Sequence, residues 1–197
     1  AVFKSDFIPL EAREEMPAGV LMVSQDITDS IRERERRERV LKQLVGALVS
    51  VVDRRDPYSA NHSTRVGVVA KAIAEEMELE VIEVETAEIA GNLMNLGKIT
   101  VPSEVLTKTD KLTDEEFEMI RDSIFTSAEL VKDIEFDGDV AQTLRSLQEC
   151  VDGSGIPDGL TGEDILIAAR IVAVSNAFVG MVSARSWRAG MDFDKAI

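Results

Sequence analysis

From residue 57 to residue 197 the chain carries helix-type patterning with no strand signals between the helices. That absence constrains the fold more than any other feature. A parallel sheet needs strands alternating with crossover helices, so an all-α bundle is left for this stretch. Val66, Val69, Ile73 and Met77 mark one helical face. Thr113 and Glu116 have capping-box spacing and open a helix predicted to run to about Ile134. A further helix is predicted over roughly Val140 to Cys150, and a long apolar one from about Ile165 to Ala184. Between them VDGSGIPDGLTG, with Asp152, Gly153, Gly155, Pro157 and Gly159, reads as a defined turn.

The first 56 residues differ in texture. Val2 to Leu10 and Gly19 to Ile27 are β-like runs separated by a polar stretch containing Pro17, which is a hairpin signal. A lone hairpin is marginal, so residues 1–27 read as the end of a larger domain. Residues 28–56 read as a helix with a seam at Ile31, Arg34, Glu38, Leu41, Val45, Leu48 and Val52, spaced alternately three and four. Its first half is polar, including RERERRER, and its second half apolar. The charged run reads as a solvated face laced with ion pairs or as the seam of a weak parallel coiled coil, and one connector can be both.

Composition narrows the chemistry. The formal net charge of -15 argues against general nucleic-acid binding, which needs a basic face. No apolar run approaches the roughly 18–20 residues of a spanning helix. The single Cys150 excludes an internal disulfide, fits a reducing, cytoplasmic compartment, and reads as a small residue at a helix end. His62 is the one histidine, which limits transition-metal chemistry severely. It continues the Val66, Val69, Ile73 face, so it reads as a buried histidine satisfied by a carbonyl or amide rather than as a lone ligand.

Five segments, in order, resemble the HD-GYP domain, a branch of the HD phosphohydrolases that hydrolyses cyclic di-GMP. They are DRRDPYSANHSTRV, LMNLGKITVP, LTDEEFEMIRDS, LQECVDGSGIPDGLTGEDI and ARIVAVSNAFVGMVSARSWR, spanning about Val52 to Arg188. GVLMVSQDIT is similar to the end of a PAS sensor domain that feeds a signalling helix. The resemblance implies three parts: PAS strands over 1–27, a signalling helix over 28–56, and an HD-GYP domain over 57–197 lacking its last helical segment. The fold class expected is all-α, an HD-type bundle with a β-hairpin remnant.

The resemblance also implies a cluster of two or three iron or manganese ions held by histidines and aspartates. His62 stands at the first such position. Met94 and Asn95 stand where adjacent His and Asp belong, Ser123 where a His belongs, Leu147 and Gln148 at a His pair, and Asn176 at the closing Asp. A thioether, an alkyl group and neutral amides bring no charge to offset a cation. A catalytically inactive module is therefore expected, with no cofactor and no metal, and His62, Met94, Asn95, Gln148 and Asn176 converging beside Lys98. Lys98, Arg185 and Arg188 match positions that the family uses on substrate phosphate or nucleotide, though they also read as ordinary surface charges. The signature turn is Gly155-Ile156-Pro157, without its tyrosine.

Three functions compete at this point. An active cyclic di-GMP phosphodiesterase predicts metal and turnover, and a receptor predicts cyclic di-GMP binding alone. A scaffold predicts homodimerisation through residues 28–56, or docking of a signalling partner, and no ligand. An inactive signalling module coupled to a PAS sensor is the expectation that the residues favour.

Overall fold

A computed structural model describes residues 1–10, 19–55, 61–183 and 190–196. The chain divides into two units, Ala1–Leu44 and Val45–Ile197.

The first unit is a hairpin followed by helix. Strands β1 (Phe3–Leu10) and β2 (Gly19–Asp26) pair antiparallel, with Phe3 opposite Asp26 and Leu10 opposite Gly19. Every strand residue is exposed. Helix α1 (Thr28–Asp53) starts directly after β2. Its start is fixed by one carboxylate: Asp26 Oδ1 accepts from the Thr28 amide at 2.9 Å and from Thr28 Oγ1 at 2.5 Å. Those bonds, Thr28 Oγ1 first, hold the Asp26 carboxyl below its ordinary range. Val2 N in turn donates to Thr28 Oγ1 at 2.7 Å, so the first strand and the helix start share one hydroxyl.

The second unit is the helical bundle. It comprises the end of α1, α2 (His62–Glu76), α3 (Val81–Leu93), a 3₁₀ turn (Leu96–Thr100), α4 (Ser103–Leu106) and α5 (Asp114–Val131). Then come α6 (Val140–Arg145), 3₁₀ turns at Ser146–Gln148 and Gly162–Asp164, α7 (Ile167–Val182) and α8 (Phe193–Ala196). Helix α2 packs on α3 and α7, and α5 on α6 and the Leu96–Thr100 turn. Small residues bring α2 and α3 close: Ala70, Ala74, Ala87 and Ala90 are fully buried. A Cβ on Gly91 would lie 2.8 Å from the Gly67 Cα, so here the two backbones touch. Leu93, Leu144, Ile165 and Val172 fill the remaining centre, each contributing about 1.5–3 kcal/mol by leaving water.

Several boundaries differ from the periodicity-based ones. Helix α5 ends at Val131, and the Val140 helix gives way to a 3₁₀ turn at Ser146 instead of reaching Cys150. The apolar helix is Ile167–Val182. The Thr113–Glu116 box forms, with Glu116 N to Thr113 Oγ1 at 3.2 Å and Thr113 N to Glu116 Oε2 at 2.7 Å. A second box, Glu80 with Glu83, was not expected, since glutamate is not a favoured cap.

The α1 seam needs the largest correction. Val49 and Val52 are buried, and Val45 packs against the bundle core. Exposed on α1 are Val40, Leu41, Leu44, Leu48 and Val51. The apolar stripe is rotated from the expected one because one side of the helix is spent on its own bundle. On α2 the buried face is His62, Ser63, Val66, Gly67, Ala70 and Ala74, and Met77 is exposed. The alanines and Gly67, rather than the larger residues, meet α3.

Candidate functional site

His62 is the first residue of α2, following Asn61, whose φ of 58° turns the chain into the helix. The imidazole is buried, and Nε2 lies 2.9 Å from Asn176 Oδ1 on α7. An amide oxygen only accepts, so Nε2 carries the proton and donates. Its neighbour Ser63 begins a separate thread. Ser63 Oγ donates to Asp53 Oδ1 at 3.5 Å and accepts from Asn95 Nδ2 at 3.0 Å. Buried Asp53, Ser63 and Asn95 thus tie the end of α1, the start of α2 and the segment after α3 together.

The expected convergence forms only in part. His62 and Asn176 meet, while Asn95 bonds to Ser63 instead of to them. Met94 and Leu147 are buried in the apolar core. Gln148 turns to α5, its Nε2 donating to the Arg121 carbonyl at 2.6 Å. Ser123 is buried on α5 and donates to its own helix, at Ile120 O. An amide satisfied by a nearby backbone carbonyl has no call on a more distant side chain.

Lys98, half-buried, sits on the Leu96–Thr100 turn, which is seated on α5 by Gly97. A Cβ on Gly97 would lie 1.9 Å from Ser123 O and 2.7 Å from Ser127 N, so only glycine fits. Ser127 Oγ accepts from Gly97 N at 2.8 Å and lies 2.9 Å from Met94 O, to which it donates. From the other side Arg55 donates to the carbonyls of Ile99 and, at 3.1 Å, Val101, and approaches Ser103 Oγ at 3.4 Å. Arg185 and Arg188 lie outside the described residues.

The Gly155-Ile156-Pro157 turn is held by charged neighbours. Glu149 accepts from the amides of Asp158 at 2.7 Å and Leu160 at 2.9 Å. Arg145 binds Asp158 through both carboxylate oxygens, at 3.0 and 2.9 Å. That pairing holds the Asp158 carboxyl below its ordinary value and the Arg145 guanidinium above its own. Gly155 packs on backbone, a Cβ there lying 2.2 Å from Cys150 N. The turn is thus built without an aromatic ring. Cys150 itself is exposed.

These residues do not fit a dinuclear metal centre. Among the described residues no group of three or more His, Cys, Asp or Glu is arranged to hold a metal ion. The single imidazole at the centre has its Nε2 turned to an amide oxygen rather than offered as a lone pair. Sequence reading missed Arg55, Ser63, Ser127 and Glu149. Their partners are backbone atoms or residues distant in sequence, so no local pattern marks them.

A family profile described as an HD domain matches residues 47–197. A cyclic di-GMP phosphodiesterase response regulator of Xanthomonas campestris is 33% identical over 186 residues, covering 93% of this chain and 48% of the relative. A cyclic di-GMP phosphodiesterase of Pseudomonas aeruginosa is 34% identical over 154 residues, covering 77% of this chain and 37% of the relative. The chain therefore spans about half or less of these relatives' length. Among solved structures, a cyclic GMP-AMP-specific phosphodiesterase of Vibrio cholerae superposes with TM-score 0.56 at 17% identity, over 78% of this chain and 42% of that one. A Bdellovibrio bacteriovorus protein described as HDG"Y"P gives 0.55 at 20%, over 68% and 43%. Both structural likenesses support the helical fold. The relatives' names correct the expectation that the chain is not an enzyme: the proteins it matches over most of its length are named as phosphodiesterases, which points to an enzyme.

Proposed function

Because the chain belongs to the HD-domain family, we propose that its helical unit is a phosphodiesterase domain directed at a cyclic dinucleotide, with cyclic di-GMP the first substrate to test. The similarity over 93% of this chain to a protein named for that activity carries the reading. Hydrolysis of one phosphodiester bond adds water at phosphorus and releases a ribose hydroxyl, leaving a linear dinucleotide. Lys98 is proposed to offer a point charge to a phosphate oxygen; its turn is held by Ser127 and Arg55. Arg185 and Arg188, which lie outside the described residues, are proposed from their sequence positions to meet the nucleotide. No step is assigned to a metal, since the described donors do not form a metal site.

The test is chromatographic assay of linear product from cyclic di-GMP, with and without added manganese or ferrous iron, alongside calorimetric titration. Product that falls with Lys98→Ala supports the reading. Binding without product would keep the ligand class and remove the reaction. Neither binding nor product at millimolar ligand would overturn both.

Residues 1–27 are proposed to be the closing strands of a PAS-type sensor. The exposed hairpin and its shared hydroxyl with the helix start support this. The chain is further proposed to pair with a second copy through α1, along Leu41, Leu44, Leu48 and Val51. These are exposed at coiled-coil spacing. No helix among the described residues is long and apolar enough to cross a membrane.

A further inference from the structure

Arg55 follows the last turn of α1, its amide donating to Val52 O at 2.9 Å. Its guanidinium reaches the carbonyls of Ile99 and Val101 and the Ser103 hydroxyl, 44 to 48 residues away. The carbonyls at the end of a helical turn have no partner within it and carry partial negative charge. A guanidinium holds its donors in a rigid planar fork that suits two such carbonyls at once, where an ammonium is a compact point charge on a flexible stem. These two flank the end of the turn whose third residue is Lys98. On the opposite side the turn is fixed by Gly97 against Ser127. The turn is therefore gripped at both ends, by α5 and by the exit of α1.

We infer that Arg55 is a positioning residue that holds the Leu96–Thr100 turn so that Lys98 is aimed at the ligand phosphate. Its side chain is also the tie by which the end of α1 reaches that lysine. This rests on the reading of Lys98 as a phosphate contact. The effect of Arg55 passes through the turn, and removal of the clamp lets Lys98 adopt other directions.

The experiment is a double-mutant cycle on cyclic di-GMP affinity, with hydrogen exchange of the turn read in parallel. Arg55→Ala should weaken binding about tenfold, the equivalent of one charge-assisted hydrogen bond. It should also speed exchange of the Lys98 and Val101 amides by at least about tenfold. Arg55→Lys should rescue partially, since one ammonium satisfies one carbonyl well. In a Lys98→Ala background, Arg55→Ala should change affinity no further, because the residue it positions is gone. Equal losses in both backgrounds would overturn positioning and leave a general structural role. Unchanged exchange in the turn would overturn the clamp. If the unsubstituted protein bound no cyclic di-GMP, the substrate reading would fail, and with it the aiming role. The exchange arm would still decide the clamp.

Discussion

His62 Nε2 and Asn176 Oδ1 lie 2.9 Å apart, joining the first turn of α2 to the middle of α7 across 114 residues of sequence. The pair joins a buried ring nitrogen to an amide oxygen. Asn176→Leu takes that acceptor from the ring, which costs about 1–3 kcal/mol. A thermal midpoint lowered by at least about 2 °C is expected, and an unchanged midpoint would refute the pairing.

His62 bonds directly to Asn176, and Asn95 directly to Ser63, so the bundle is expected to fold without added metal. Exhaustive chelation should leave the thermal midpoint within about 1 °C, given that about 1 kcal/mol moves a protein of this size by roughly 2–4 °C. A larger fall would show an ion holding the bundle together.

Gly97→Ala should be among the most damaging small substitutions in the chain. Its Cβ would sit 1.9 Å from Ser123 O, a backbone atom that cannot swing aside. Overpacking of this kind costs about 1–3 kcal/mol and occasionally more, so a midpoint lowered by roughly 2–12 °C is expected. Gly180→Ala, which meets nothing within 4 Å, is the control and should cost little.

The Arg145–Asp158 pair makes the Gly155–Pro157 turn acid-sensitive. The Asp158 carboxyl is depressed below its ordinary 3.8, Arg145 being the main cause. Its contribution is present above the ordinary aspartate range and lost as pH falls through the depressed value. Asp158→Asn should therefore speed hydrogen exchange of the Ile156 amide at neutral pH. As pH falls through that depressed value, once allowance is made for intrinsic rates, the two proteins should converge, since a protonated Asp158 is then as neutral as the asparagine. A difference that persists in acid would show that the charge is not what holds the turn.

Dimerisation should respond to one side of α1 only. Leu48→Asp, on the exposed stripe, should convert a dimer to a folded monomer by light scattering. Val49→Asp, in the bundle core, should instead unfold the bundle. A Leu48→Asp protein of unchanged mass would remove the proposed pairing.

Much of this protein is legible locally. The hairpin runs, the Thr113–Glu116 box, the burial of His62 and the glycine-rich turn follow from pairing period, capping chemistry and helical spacing. These act over a few residues and are therefore written in adjacent sequence. Tertiary structure decided the rest. Heptad spacing alone places Val45 and Val52 with Leu41 and Leu48, but only the bundle draws the first two inward with Val49 and leaves the others outside. Identity shows that Gln148 and Asn95 can hydrogen-bond. Packing gives Gln148 to Arg121 O and Asn95 to Ser63, because those are the partners that the folded chain brings within reach. Arg55 carries no local sign of its role. Its carbonyl acceptors lie 44 and 46 residues away, and a hydrogen bond over that separation exists only once the helices between have packed.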